Sequence, residues 1–231
     1  FVRNKEDVFA VQNILDDLNS NISIIAKIEN EQGVKNIEEI LDVCYGVMVA
    51  RGDLAIEISP EKLPLVQKQL VDIAIKKRRP VIVATQMLQS MIENPRPTRA
   101  EVNDIANAIF DGTDAIMLSG ETAYGKYPVE SVQMMTRIAK EVEGTTLTYK
   151  SKLKVESEFN KDCNSLNEQV AAQLTKVIVE ASDKLDLEAI IADTTSGNTI
   201  RSLAAYRGRH TIYAQCYDEQ TMRKLALSYG V

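Results

Sequence analysis

Four short apolar runs in the first half of the sequence constrain the fold more than any other feature. Strands buried on both faces of a parallel sheet have this continuous apolar composition, whereas half-exposed strands alternate apolar and polar residues. Polar residues end each run, and successive runs lie roughly 30 residues apart, which is the length of one βα unit. The runs are Ser23–Ile28, Gly46–Ala50, Pro80–Ala84 and Ala115–Leu118.

Amphipathic segments separate these runs, as expected for the helices of βα units. In Glu61–Lys77, apolar residues recur at helical spacing beneath a face of Lys and Gln residues. A complete eight-unit barrel needs roughly 250 residues, so four βα units account for about half of one. We therefore predict an α/β fold in which residues 1–144 form half of a TIM (β/α)8 barrel.

A second, smaller domain is predicted after a polar and irregular stretch that we interpret as a linker over residues 145–164. Residues 165–231 then carry a helical pattern from Leu166 to Leu185 and two strand patterns, at Ala189–Ala192 and Thr211–Gln215. This order predicts a partial α/β domain. The apolar stripe of its long helix consists of Val170, Leu174, Val177, Ile178 and Ala181.

The composition excludes several classes of protein. Hydrophobic residues make up 45% and charged residues 26% of the 231 positions, which is typical of a globular protein rather than a disordered one. The formal net charge is −6 and no basic block is present, which argues against nucleic acid as a partner. No apolar stretch approaches the roughly 20 residues that span a bilayer, so we predict a soluble protein without a membrane partner.

Cysteine and histidine usage limits the chemistry further. Three distant cysteines without a CxxC pair, Cys44, Cys163 and Cys216, favour the reducing cytoplasm. The single histidine, His210, rules out zinc sites built from several histidines, and we assign it no chemistry. The sequence opens at Phe1 without an initiator Met, so we expect a piece of a longer chain.

Charged residues end the first two predicted strands, where the active site of a TIM barrel lies. Lys27 and Glu29 are two residues apart on an extended strand and therefore point to the same side. Asp53 follows the second strand, directly after Gly52, which allows a ligand to approach the backbone. Two carboxylates on adjacent strand ends suit Mg²⁺, although two solvated loop carboxylates would give the same pattern.

Hydroxyl residues end the other two predicted strands. Thr85 and Ser119 suit a proton relay or a contact to an oxyanion, but such residues also commonly cap helices. Together with Lys27 and the carboxylates, they predict a pocket for an anionic, enolisable or phosphorylated substrate. Residue types and spacing do not define the reaction further.

Five ordered motifs surround these residues. They are Ala26–Asn30 (AKIEN), Met48–Leu54 (MVARGDL), Ala84–Met91 (ATQMLQSM), Asn94–Glu101 (NPRPTRAE) and Asp111–Thr122 (DGTDAIMLSGET). The set closely resembles the pyruvate kinase family. The resemblance implies the second half of that family's catalytic barrel followed by the start of its regulatory C-terminal domain. It also implies phosphoryl transfer from phosphoenolpyruvate to ADP, giving pyruvate and ATP in the last step of glycolysis.

The resemblance implies a role for each charged residue at the strand ends. Lys27 corresponds to the family's catalytic lysine, which also binds substrate, and its ammonium would neutralise the transferred phosphoryl group. Glu29 and Asp53 match the ligands of the family's divalent metal, Mg²⁺ or Mn²⁺. Potassium is also implied, but its ligands would lie outside this sequence.

Further roles follow from the same resemblance. The backbone amides of Gly52 and Asp53 would bind the substrate carboxylate, and Thr85 matches a hydroxyl near the substrate methylene. Ser119 matches a hydroxyl that delivers a proton through water. Arg51 is interpreted as a residue that organises the site without binding a ligand. Arg99, in a loop that resembles one near a subunit interface, is interpreted as structural or interfacial.

A hydroxyl-rich turn in the second domain resembles the family's loop for a sugar-phosphate effector. Its residues are Thr194, Thr195, Ser196, Gly197, Asn198 and Thr199. Free hydroxyls and amides at such a turn can hold a phosphate, but they also commonly cap a helix. The family often has a basic residue at the position of Asn198, so regulation by an effector stays open.

Two alternatives to a pyruvate kinase remain. A metal-dependent lyase or aldolase of the same barrel type would use Glu29 and Asp53 to stabilise an enolate and would not need ADP. A non-catalytic module would bind an effector and make no pyruvate.

The resemblance implies a homotetramer, and it implies that nucleotide-binding residues, a lid domain and the first half of the barrel lie outside this sequence. We therefore expect the fragment to be inactive by itself.

Overall fold

A computed structural model of the chain describes residues 1–145 and 166–231. The chain divides into two compact units, Phe1–Thr145 and Thr146–Val231. Except for Thr145, the predicted linker lies outside the described residues, and so does Cys163.

The first unit is built on a four-stranded parallel sheet in the order β1-β2-β3-β4. The strands are β1 (Ile25–Ile28), β2 (Gly46–Ala50), β3 (Val81–Ala84) and β4 (Ala115–Met117). All four predicted runs are confirmed as strands. Ala50 pairs with Ala84, and Ala84 pairs with Met117, so the carboxyl ends of these strands lie at one edge of the sheet.

Helices follow the strands and cover the sheet, which confirms an α/β fold consistent with a partial TIM barrel. The predicted helix at Glu61–Lys77 is a short 3-10 turn, Pro60–Lys62, followed by an α-helix that buries Leu70 and Ala74. A second 3-10 turn spans Gln89–Ile92. The α-helices are α1 (Lys5–Asp17), α2 (Glu31–Lys35), α3 (Ile37–Val43), α4 (Arg51–Glu57), α5 (Leu63–Lys76), α6 (Arg99–Phe110), α7 (Gly120–Ala123) and α8 (Pro128–Glu143).

The second unit contains a two-stranded parallel sheet and three described helices. In chain order its elements are α9 (Leu166–Lys184), β5 (Ala189–Thr194), α10 (Asn198–Ala205), β6 (Thr211–Cys216) and α11 (Glu219–Leu225). Both predicted strands are confirmed, and each extends beyond the predicted end. The buried core includes Val179, Ile190, Ile200, Leu203, Ala204, Ile212 and Leu225.

Helix α9 packs through a different face from the one that its apolar stripe suggested. Leu174 and Val177 of that stripe are exposed, whereas Ala172 and Thr175 are buried. Val179 continues the buried face, and the hydroxyl of Tyr206, the residue directly after α10, donates a hydrogen bond to the Ala172 carbonyl at 2.9 Å. No helix in the described ranges, 1–145 and 166–231, is long and apolar enough to cross a membrane.

Candidate active site

The predicted site residues of the first unit lie at the carboxyl ends of the four neighbouring strands. Lys27 belongs to β1 and Glu29 follows it, while Asp53 lies in the first turn of α4, which begins directly after β2. Thr85 follows β3, and Ser119 lies two residues beyond β4. The parallel register therefore brings together one cation, two carboxylates and two hydroxyls at one edge of the sheet.

Lys27 joins the two carboxylates. Its Nζ donates a hydrogen bond to Asp53 Oδ2 at 2.7 Å and another to Glu29 Oε2. The Glu29 side chain is only 12% exposed, whereas those of Lys27 and Asp53 are 45% and 47% exposed. Hydrogen bonds to Asp53 and then to Glu29 raise the pKa of Lys27, and the hydrogen bond from Lys27 lowers the pKa of Glu29. Lys27 is therefore cationic and Glu29 anionic at neutral pH.

The same two carboxylates fit a magnesium site. Mg²⁺ is usually held by one or two protein carboxylates and completes its shell with water and substrate oxygens. Across residues 1–145 and 166–231, no group of three or more His, Cys, Asp or Glu residues that could hold a metal ion is present. The predicted ligands Glu29 and Asp53 would hold a metal at this site, with the remaining positions open to water and substrate.

Thr85 has an unusual backbone conformation and a specific partner. Its φ angle is +70°, and its Oγ1 accepts a hydrogen bond from the Gly52 amide at 2.7 Å. A Cβ at position 52 would lie 3.3 Å from this oxygen, so glycine permits the close approach. The cap of α4, Ala50, offers no side-chain hydrogen bond, and Thr85 satisfies an amide of that helix instead. The Gly52 amide predicted to bind the substrate carboxylate is thus engaged by Thr85 in this structure.

Ser119 is held by a residue that the sequence analysis did not identify. Ser119 caps α7 by position, but its side chain makes no capping hydrogen bond. Glu121 is 1% exposed and accepts hydrogen bonds from the Ser119 amide at 2.8 Å and from the Leu88 amide at 3.0 Å. It thereby ties the loop after β3 to the loop after β4. The sequence did offer one indication of this role: Glu121 lies close after the end of β4, within the last of the five motifs.

We expect Glu121→Gln to destabilise the full-length protein that contains this sequence. A glutamine amide would turn its NH₂ group toward one of the two backbone N–H donors, leaving a buried group without a partner. The expected loss in the free energy of unfolding is about 1–3 kcal/mol. Urea unfolding and faster amide exchange at Leu88 would measure it. Glu143→Gln, at an exposed glutamate, is the control. Equal stability of the two variants would contradict this role.

Comparison with known proteins decides the family. A family model described as the pyruvate kinase barrel domain matches residues 1–132, and one described as the pyruvate kinase alpha/beta domain matches residues 172–231. The chain belongs to the pyruvate kinase family. Its whole length is 49% identical to a pyruvate kinase of Borreliella burgdorferi, 50% to one of Sporosarcina psychrophila and 46% to one of Clostridium acetobutylicum. It covers 47%, 38% and 48% of those relatives, less than half of each.

Arg99 and His210, which the sequence analysis kept outside the pyruvate kinase chemistry, take different positions. Arg99 is exposed and is the first residue of α6, so its structural or interfacial role stays a prediction. His210 Nε2 is buried 3.6 Å from Asp183 Oδ1, within the second unit.

Cys44 and Cys216 are free, and burial raises the pKa of the Cys44 thiol.

The predicted effector loop joins β5 to α10 and is closed by its own hydrogen bonds. Thr194 Oγ1 accepts from the Gly197 amide at 2.9 Å, and Gly197 has a φ of +81°, which favours glycine. Arg201 donates to the Ser196 carbonyl at 3.3 Å and to Asn198 Oδ1. The Thr194 oxygen therefore accepts a hydrogen bond within the turn, and the Thr194 side chain is buried. The Arg201 guanidinium lies beside the loop, and the sequence analysis did not consider this cation.

Four residues of the loop are exposed, and three of them carry hydroxyls: Thr195, Ser196 and Thr199. Their hydroxyls are accessible to an external phosphate. Effector binding at this loop stays a prediction.

Proposed function

We propose that the full-length protein transfers the phosphoryl group of phosphoenolpyruvate to ADP and then protonates the resulting enolate to pyruvate. In the first step the bond between phosphorus and the enol oxygen breaks, and a bond from phosphorus to a terminal oxygen of ADP forms. In the second step the methylene carbon of the enolate takes a proton. The observation that carries the proposal is the contact of Lys27 with both Glu29 and Asp53 at the strand ends.

Lys27 acts by charge. Phosphoryl transfer depends mainly on positioning the reactants and neutralising charge, and a fixed ammonium serves both needs. Bound Mg²⁺ or Mn²⁺, held by Glu29 and Asp53, would supply further positive charge to the phosphate and enolate oxygens. The lyase alternative can rely on the metal without this cation, so Lys27 favours phosphoryl transfer.

The two hydroxyls belong to the protonation step. Because Thr85 Oγ1 accepts a hydrogen bond from Gly52, its own proton is available to another group. We place this hydroxyl near the substrate methylene. Ser119, whose side chain caps no helix, delivers a proton through water.

Several properties of the whole protein belong to the same proposal. They are K⁺ dependence, a nucleotide site for ADP and ATP, a cytoplasmic location and a homotetrameric assembly. Residues for the nucleotide and for K⁺ are expected in the part of the relatives that this chain does not cover.

The deciding experiment measures pyruvate formed by the full-length protein from phosphoenolpyruvate, with and without ADP and with and without Mg²⁺. We expect formation only when both are present. Pyruvate release without ADP would mean that water accepts the phosphoryl group, and it would contradict the kinase. No pyruvate under any condition would favour the lyase or the non-catalytic module.

A sugar phosphate is the proposed effector. Fructose phosphates should bind the full-length protein in calorimetry and change its activity. Ser196→Ala removes one hydroxyl, and a hydrogen bond to a charged group is worth about 1.5–3 kcal/mol, so binding should weaken by about tenfold or more. Leu187→Ala, at an exposed position elsewhere in the unit, is the control. If fructose phosphates neither bind nor alter activity, the effector assignment is wrong.

A further inference from the structure

Arg51 is a buried cation that contacts the backbone beside the active site. It is only 6% exposed and is the first residue of α4. Its Nε and Nη2 donate to the Thr85 carbonyl at 3.2 and 3.0 Å, and its Nη2 also donates to the Gln86 carbonyl at 2.9 Å. Its Nη1 forms an ion pair with Asp104 Oδ2 at 3.3 Å. One guanidinium therefore holds two consecutive carbonyls.

These two carbonyls belong to residues with unfavourable backbone conformations. Thr85 has a φ of +70° and Gln86 a φ of +55°. Left-handed conformations are uncommon outside glycine and are outliers for a β-branched residue such as threonine. Such strain persists only where the surrounding structure enforces it. In the structure, the Arg51 guanidinium donates the hydrogen bonds that these two carbonyls accept.

Arginine suits this task for two reasons. Its planar guanidinium presents several donors in a rigid fork, so it can bind both carbonyls and Asp104 at once, which a lysine ammonium cannot do in the same geometry. Burial lowers the pKa of Arg51, and Asp104 offsets part of this effect. Among residues 1–145 and 166–231, the ion pair of Arg51 is with the half-exposed Asp104. A buried cation with such a partner is costly, so the carbonyl contacts contribute to its stabilisation.

We propose that Arg51 is a positioning residue that holds Thr85 in the left-handed conformation required for protonation of the enolate. This inference rests on the proposed function, because it assumes that the Thr85 hydroxyl faces the substrate methylene. Arg51 itself touches no substrate. It fixes the turn that contains Thr85, whose hydroxyl oxygen accepts a hydrogen bond from the Gly52 amide.

The first test separates protonation from binding in the full-length protein. Arg51→Met removes the fork, and Arg51→Lys keeps a charge near Asp104 without holding both carbonyls. Because small misplacements can cost about 10²-fold in rate, we expect both variants to lose about 10- to 100-fold in kcat with little change in the KM for ADP. Exchange of the pyruvate methyl hydrogens with deuterated solvent, followed by NMR with Mg²⁺ present, should fall by a similar factor.

The second test distinguishes positioning from general stability. Glycine adopts positive φ at no steric cost, so Gln86→Gly should restore part of the lost exchange when combined with Arg51→Met. Asn19→Gly, at an exposed residue with a φ of 49° after α1, is the matched control and should restore none. Equal effects of the two glycines, or no rescue together with a lower melting temperature, would mean a merely structural role and overturn the inference.

The outcomes also separate this inference from the proposed function. An active wild type with normal kcat and exchange in both Arg51 variants would overturn the inference and leave the function intact. A wild type that makes no ADP-dependent pyruvate would overturn both.

Discussion

We expect the replacement of Lys27 by methionine in the full-length protein to lower ADP-dependent pyruvate formation by on the order of 10³-fold or more. Methionine keeps most of the side-chain volume but removes the ammonium that contacts Asp53 and Glu29. The transferred phosphoryl group and the developing enolate then lose their fixed positive charge. Steady-state rates of pyruvate formation at saturating Mg²⁺ would measure the loss.

A matched control and a second readout make this result specific. Lys35→Met removes an exposed lysine that pairs with Glu31 on the surface of α2, and it should leave the rate unchanged. Mn²⁺ binding, followed by electron paramagnetic resonance, should persist in Lys27→Met because both carboxylates remain. A rate within tenfold of the wild type would remove Lys27 from the mechanism.

The pH dependence of the Lys27–Glu29 pair follows from the directions of the two pKa shifts. The pKa of Glu29 is lowered on folding, so its contribution to stability is lost as the pH falls through the folded value. The pKa of Lys27 is raised, so its contribution is lost as the pH rises through the folded value. The pair therefore stays intact across neutral pH, and no titration of Lys27 or Glu29 should appear in the rate profile there.

Replacing Asp53 by asparagine has the second large expected effect. The change removes one of two carboxylates available to the metal and keeps the size of the side chain. Metal charge is worth several kcal/mol in transition states of this kind, so we expect turnover to fall by on the order of 10³-fold. Calorimetry with Mg²⁺ should show weaker binding in the same variant.

Glu57→Gln is the matched control for this change. Glu57 is the last residue of α4 and is exposed. The Glu57→Gln substitution removes the same charge from the same helix as Asp53→Asn does. This variant should bind Mg²⁺ and turn over like the wild type. If Asp53→Asn and Glu57→Gln bind Mg²⁺ equally well, Asp53 is not a metal ligand and the two-carboxylate site is wrong.

The main features of the fold could be predicted from local patterns. A strand buried on both faces is nearly all apolar, which describes β2 and β3. The same pattern also located β1 and β4, although Lys27 of β1 is exposed and the residues of β4 are only partly buried. Helix α9 shows the limit of such patterns. The helix was predicted correctly, but its predicted packing stripe was wrong, because Leu174 and Val177 are exposed and Ala172 is buried. Which face packs is set by the elements that contact the helix, here α10 and β5, and the residue types of the helix do not specify those neighbours.

The contents of the site divide in the same way. Its five predicted residues follow from strand ends and motifs, and the family comparison confirms the resemblance that those motifs carry. The role of Glu121 and the partners of Arg51 required the tertiary structure, because each side chain contacts the backbone of residues about 33 to 35 positions away in the chain. Spacing along a strand or helix cannot reveal such contacts.

The sequence by itself determined the parallel βα order, the family and the residue types at the strand ends. These properties depend on composition, period and motif order, all of which are local. Only the tertiary structure decided that Lys27 joins Glu29 to Asp53, that Thr85 engages the Gly52 amide and that Arg51 holds the turn at Thr85. These contacts depend on backbone conformations and side-chain directions that are set when neighbouring strands pack together.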